Sequence, residues 1–193
     1  MKTLIIHLAD ETTNELSLIY ENCPALGDVE RISDWIGDEA LNNKIREADN
    51  IIMLGHGCPS GLLDITYKSG RSCIIDHRHL PLLKGKNVIG FWCYAREFAI
   101  DNQLSGFFSS MWISEEIEAW MCGICGFQQE YIRKECAKVA TRINRLLADG
   151  VPLCEFPERL KSQNDCHNDL TEFNYGGLAY FSPEDFPKSP DEH

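Results

Sequence analysis

The sequence predicts an α/β fold, a three-layer αβα sandwich around a mostly parallel sheet, and three observations carry that reading. Short apolar runs at residues 3–8, 50–54 and 88–92 have the unbroken hydrophobicity of strands covered on both faces. Segments with apolar residues at helical spacing lie between such runs, and an alternation of strands and helices favours parallel pairing. The stretch joining the second run to the third is long enough for a crossover, which needs about a dozen residues or more.

The elements follow in order. Residues 3–8 read as a buried first strand. Thr12 and Glu15 stand at capping-box spacing, which predicts a helix over 14–21. A short second strand is expected at 29–32, then a helix capped by Ser33 or Asp34 with Ile36, Leu41, Ile45 and Ala48 on its inner face. After the strand at 50–54, which runs into Gly55-His56-Gly57, a polar stretch holds a hairpin strand at 72–75. The strand at 88–92 ends at Cys93, and another is expected over 107–113. Ser114 caps a helix through Met121, with Glu115 and Glu116 as first-turn acids. The clearest helix spans 128–149: Ile132, Cys136, Val139, Ile143 and Leu146 form one stripe, and Gly150 stops it. A last strand is expected within 173–181. One domain then covers 1–181, and the Pro-rich, charged residues 182–193 read as a flexible tail.

Composition narrows the function. The chain has 193 residues, 44% of them hydrophobic, enough for one full core. Its 18 Lys and Arg against 30 Asp and Glu give a net charge of −12, so most of its surface repels phosphate backbones and anionic membranes. Nucleic-acid and membrane partners are not expected. No segment approaches the roughly 20 apolar residues of a spanning helix, and no leader is visible, so a cytoplasmic location is expected. The nine cysteines are odd in number and scattered. They read as reduced thiols, most of them core residues such as Cys73, Cys93 and Cys136. Cys122-Gly123-Ile124-Cys125 lacks a second ligand pair at zinc-site spacing, so neither a metal nor a cofactor is expected. His77 and His79, flanking Arg78, read as solvated polar residues in a turn.

In an open parallel sheet, ligands and catalytic groups gather at the carboxyl ends of the strands. Two such ends carry reactive residues, His56 and Cys93. If their strands are neighbours, an imidazole and a thiol share one cleft. A thiolate is the attacking species, and an imidazole can take its proton or return one to a leaving group. Gly57 would let a substrate carbonyl approach a bare backbone N–H, a donor for an oxyanion.

A hydrophobic strand ending in His-Gly, followed by a later one ending in Cys, resembles the caspase-like cysteine peptidases. Residues 54–62 (LGHGCPSGL) resemble the stretch around the catalytic His of that superfamily, and residues 106–118 (GFFSSMWISEEIE) the strand and helix start that follow the Cys in its CHAT-like members. The resemblance covers about residues 1–125. It implies an α/β core and metal-free hydrolysis of a peptide or protein substrate. It also implies a dyad of Cys93 as nucleophile and His56 as acid–base residue, with the Gly57 N–H in the oxyanion hole. Ser110, Trp112 and Glu115 become candidates for substrate contact, because their segment borders the cleft in the family. Phe91-Trp92-Cys93-Tyr94-Ala95 departs from the caspase nucleophile motif, and nothing in the sequence matches a caspase's basic pocket for an aspartate side chain, so that preference is not implied. The bulky Trp92 before the nucleophile points to a cleft kept narrow until an activating partner protein binds. Two other classes stay open: a catalytically silent caspase-like interaction module, and a thiol redox or metal sensor built on Cys58, Cys93, Cys122 and Cys125.

Overall fold

The structure, a computed structural model, describes residues 1–187. Five strands of its main sheet are parallel: β1 (Lys2–His7), β2 (Asp28–Ile32), β3 (Asn50–Leu54), then β7 (Asn87–Phe91) and β8 (Gly106–Ser109). A small antiparallel sheet of β4 (Gly57–Cys58), β5 (Gly61–Leu63) and β6 (Cys73–Ile75) is inserted between β3 and β7. The main sheet runs β2-β1-β3-β7-β8-β9, with β9 (Leu178–Phe181) antiparallel at one edge. β3 and β7 are parallel neighbours, in register from Asn50 opposite Asn87 to Leu54 opposite Phe91. Both strands therefore end at the same level.

The inner strands are mostly apolar because each feeds two cores. Ile5, Ile52, Leu54, Ile89, Phe91 and Phe107 point to one face. Leu4, Ile6, Ile51, Met53, Val88 and Phe108 point to the other. Helices α1 (Asp38–Glu47), α2 (Leu80–Leu83) and α3 (Ala95–Asp101) cover the second face. The first face is covered by a 3₁₀ helix at Asn14–Ile19 and by α4 (Glu116–Met121), α5 (Gln129–Ala148), α6 (Phe156–Ser162) and α7 (Asp169–Gly176). The result is a mixed α/β protein with a mostly parallel six-stranded sheet flanked by helices. No helix among the described residues is long and apolar enough to cross a membrane.

α5 follows its expected stripe, with Ile132, Cys136, Val139, Ile143 and Leu146 all buried, and it ends where Gly150 takes φ +67°. Other elements differ from the sequence reading for identifiable reasons. Residues 14–21 hold only the short 3₁₀ helix, because the Thr12 hydroxyl is bonded to Asp10 and His56 and caps nothing. The helix expected after Ser33 starts later, at Asp38 behind Gly37. Ile36 stays outside it, and Asp34 instead accepts the Trp35 N–H and pairs with Lys68. β8 stops at Ser109 rather than 113. Beyond it the amide and the carbonyl of Ile113 are both taken by the buried Asn174 side chain, at 2.9 and 3.0 Å, in place of a strand partner. Residues 173–176 belong to α7, whose first turn is closed by the Asn168 side chain on the Thr171 amide, and only 178–181 form a strand. The Ser114 cap is shifted too: α4 begins at Glu116, and the Glu118 carboxylate accepts the N–H groups of Ser114 and Glu115. At the end of the described chain, Ser182 caps a 3₁₀ turn at Pro183–Asp185, and Phe186 packs on Phe181. Residues 188–193 of the expected tail lie outside the described residues.

All nine cysteines are free thiols, but only Cys23, Cys73 and Cys136 are buried. The expectation that at least six are core residues falls short: Cys93 and Cys122 pack against the first core without being fully buried, Cys58 and Cys166 are half-buried, and Cys125 and Cys154 are exposed. His79 is also not solvated: it is buried, and its Nδ1 accepts the Asp76 N–H.

Candidate active site

His56 and Cys93 each lie two residues beyond the end of their strand, His56 after β3 and Cys93 after β7. The parallel register of the two strands brings both side chains to one cleft, which Thr12, Trp112 and Arg133 also line. The cleft is narrow: its volume is about 20 Å³, room for about one water molecule.

The imidazole is oriented by a loop that follows β1. His56 Nε2 is 2.9 Å from Asp10 Oδ2 and 2.9 Å from Thr12 Oγ1. The Thr12 hydroxyl already donates to Asp10 Oδ1, so Nε2 is the donor in both contacts. Nε2 thus carries the proton, and Nδ1, with no protein partner among the described residues, is the basic nitrogen. Partial burial works against a charged Asp10, but hydrogen bonds from Thr12 and Thr13 and the nearby imidazole outweigh it and hold the carboxyl down at about 2. Asp10 is a carboxylate at any ordinary pH.

Its loop is itself anchored. The fully buried His7 at the end of β1 contacts the Thr13 carbonyl through Nε2, at 3.2 Å, and the Tyr20 hydroxyl through Nδ1, at 3.1 Å. Donating to a carbonyl fixes the Nε2–H tautomer, so Nδ1 accepts from the tyrosine. Burial, reinforced by the charge of Arg31, pushes the His7 pKa down to about 4.

Cys93 sits at a sharp strand-to-helix turn. The next residue, Tyr94, is left-handed at φ +72° and precedes the first turn of α3. A non-glycine residue there costs roughly 1–2 kcal/mol, and strain of this kind gathers at functional sites. The thiol donates to the Trp112 carbonyl at 3.4 Å, and Glu118 Oε1 stands 3.9 Å away. Burial, with Glu118 adding to it, pushes the thiol up to about 12. In this conformation the sulfur is held as the thiol, the weaker nucleophile.

Of the residues expected to contact substrate, Trp112 alone lines the cleft, packed on Phe91 at 4.6 Å between ring centres. Ser110 is turned away, its hydroxyl 2.6 Å from Glu97. Glu115 flanks α4, where its amide is held by Glu118. Gly57 is in β4, opposite Leu62, and its identity has a packing reason: a Cβ there would lie 1.7 Å from Cδ1 of Trp92. That indole belongs to the second core, beside Phe98, on the face of the sheet opposite the Cys93 thiol.

Sequence reasoning missed Asp10, Thr12 and Arg133, and weighed Glu118 only as a first-turn acid or a pocket-lining one. Asp10 was within reach of the strand-end rule that found His56 and Cys93, because it lies just beyond β1, the neighbour of β3. Among the described residues no group of three His, Cys, Asp or Glu side chains could hold a metal ion. Neither a protein-family model nor a curated protein matches the chain.

Proposed function

We propose that the chain is a cysteine peptidase of the caspase-like type, with Cys93 as nucleophile, His56 as acid–base residue and Asp10 as the group that orients the imidazole. The observation that carries this reading is the convergence of His56 and Cys93 at the ends of two parallel, adjacent strands, with the His56 proton fixed on Nε2 by Asp10. Nδ1 is left to take the thiol proton as the sulfur bonds to the substrate carbonyl carbon. The same proton then passes to the leaving amine as the C–N bond breaks, and water hydrolyses the resulting thioester to regenerate the thiol. The resemblance implies the Gly57 N–H as oxyanion donor, although Gly57 is not among the residues that line the closed cleft. Cleavage of a mixed peptide library by the wild-type protein, lost in Cys93→Ala and reduced on the order of 10²–10⁴-fold in His56→Ala, tests it.

A second reading has its own observation. The thiol pushed up to about 12 and the cleft of about 20 Å³ also suit a silent interaction module with this fold. Such a module would bind a partner equally well with Cys93→Ala and would cleave no peptide. In the catalytic reading the same two features describe a latent enzyme, opened by substrate or by an activating partner protein.

A further inference from the structure

Among the described residues, the hydrogen-bond partners of the Cys93 sulfur are both acceptors. Its single proton can be donated to the Trp112 carbonyl at 3.4 Å or to Glu118 Oε1 at 3.9 Å, and either bond holds the sulfur as the neutral thiol. A thiolate formed there would face a carboxylate with nothing between them, and like charges at that separation disfavour ionisation. The other titratable groups around the thiol are His56 beyond β3, Cys122 at the end of α4, Arg133 and Cys136 on α5, and Glu15 on the 3₁₀ helix. Arg133 is turned toward Glu11 and Glu15, at 3.6 and 3.9 Å.

Glu118 is not free to swing aside. Its second oxygen, Oε2, accepts from the Ser114 amide at 2.8 Å, the Ser114 hydroxyl at 3.1 Å and the Glu115 amide at 3.1 Å. Those three bonds complete the start of α4 and aim the remaining oxygen at the sulfur. Capping alone would need only one oxygen. The placement of the other beside the candidate nucleophile is a separate fact.

We propose that Glu118 is a built-in lock on Cys93: anchored by the first turn of α4, its carboxylate holds the sulfur in the thiol form, and the residue becomes reactive only when that turn moves away. The lock concerns the thiol itself, so it stands or falls independently of the peptidase reading.

Glu118→Gln tests it with little disturbance. The amide oxygen keeps the three bonds to Ser114 and Glu115, and the new –NH₂ faces the sulfur as a donor, which favours the thiolate. The readout is the rate at which iodoacetamide alkylates Cys93 near pH 8, followed site by site by mass spectrometry because Cys125 and Cys154 are exposed. The thiolate displaces iodide, so the rate follows the ionised fraction. Glu118→Gln should raise the Cys93 rate by about tenfold or more and shift its pH profile to lower pH. Glu116→Gln removes a charge from the same turn without touching the sulfur and should leave the rate within about twofold. If Glu118→Gln does not fold, Glu118→Asp, which keeps the charge but withdraws it by one methylene, should still raise the rate. An unchanged rate in a folded Glu118 variant, or an equal rise in Glu116→Gln, overturns the lock.

Discussion

Asp10 Oδ2 lies 2.9 Å from His56 Nε2, and this contact between the loops after two neighbouring strands decides which imidazole nitrogen carries the proton. Replacing the carboxylate by an amide removes the charge and lets the ring turn or change tautomer. Asp10→Asn should therefore lower turnover on the order of 10²-fold while leaving substrate affinity nearly unchanged, as read from kcat and KM separately. A loss confined to KM would mean that Asp10 binds substrate instead of orienting His56.

Stability should fall on the acid side in a window set by buried histidines. His7 has a folded pKa of about 4 against an ordinary 6.5, so the unfolded chain binds a proton that the folded one refuses. Its contribution is fully present above pH 6.5 and is lost as the pH drops toward 4, on the order of 3 kcal/mol. His79, also lowered by burial, acts in the same direction. Asp10 and Asp64, both held at about 2, contribute above pH 3.8 and are lost only below that. Urea midpoints measured from pH 7 to pH 4.5 should decline for the wild type and decline less for His7→Gln.

Gly57→Ala separates packing from chemistry. An added methyl at 1.7 Å from the Trp92 indole forces the ring or β4 to shift, which should cost about 1–3 kcal/mol in chemical denaturation. Trp92→Leu in the same protein should recover part of that loss. Activity that returns with stability would show that the absence of a side chain at 57 serves packing, since alanine keeps the backbone N–H.

Tyr94→Gly should be tolerated or stabilising by up to about 1 kcal/mol, because glycine occupies φ +72° without the side-chain penalty. Marked destabilisation in a thermal melt would show that the half-exposed tyrosine ring holds the turn.

The sequence made the sheet legible because its inner strands are covered on both faces. Ile51 to Leu54 and Val88 to Phe91 have no polar side to confuse them, and knowing where they end located His56 and Cys93. What stayed hidden depends on contacts between segments far apart in the chain. Thr12 and Glu15 have the spacing of a cap, yet the Thr12 hydroxyl is claimed by His56, a residue in another strand loop. Ile113 looks like the end of a strand until Asn174 supplies its hydrogen bonds from α7. α3 opens at a left-handed Tyr94 with no side-chain cap, so nothing local announces it. Glu118 is recognisable as a first-turn acid, but only the packing of α4 against the end of β7 reveals that one of its oxygens faces a sulfur.

The central claim is that His56 and Cys93 act together on a carbonyl, and a peptidyl acyloxymethyl ketone library tests it most directly. Such a probe needs a nucleophile, a proton-transfer partner and a carbonyl site at once. Intact and peptide-level mass spectrometry should find one adduct, on Cys93, in the wild type or in Glu118→Gln, and none in His56→Ala. The same adduct in His56→Ala at an equal rate, or no Cys93 adduct in either of the other two proteins, would contradict the account.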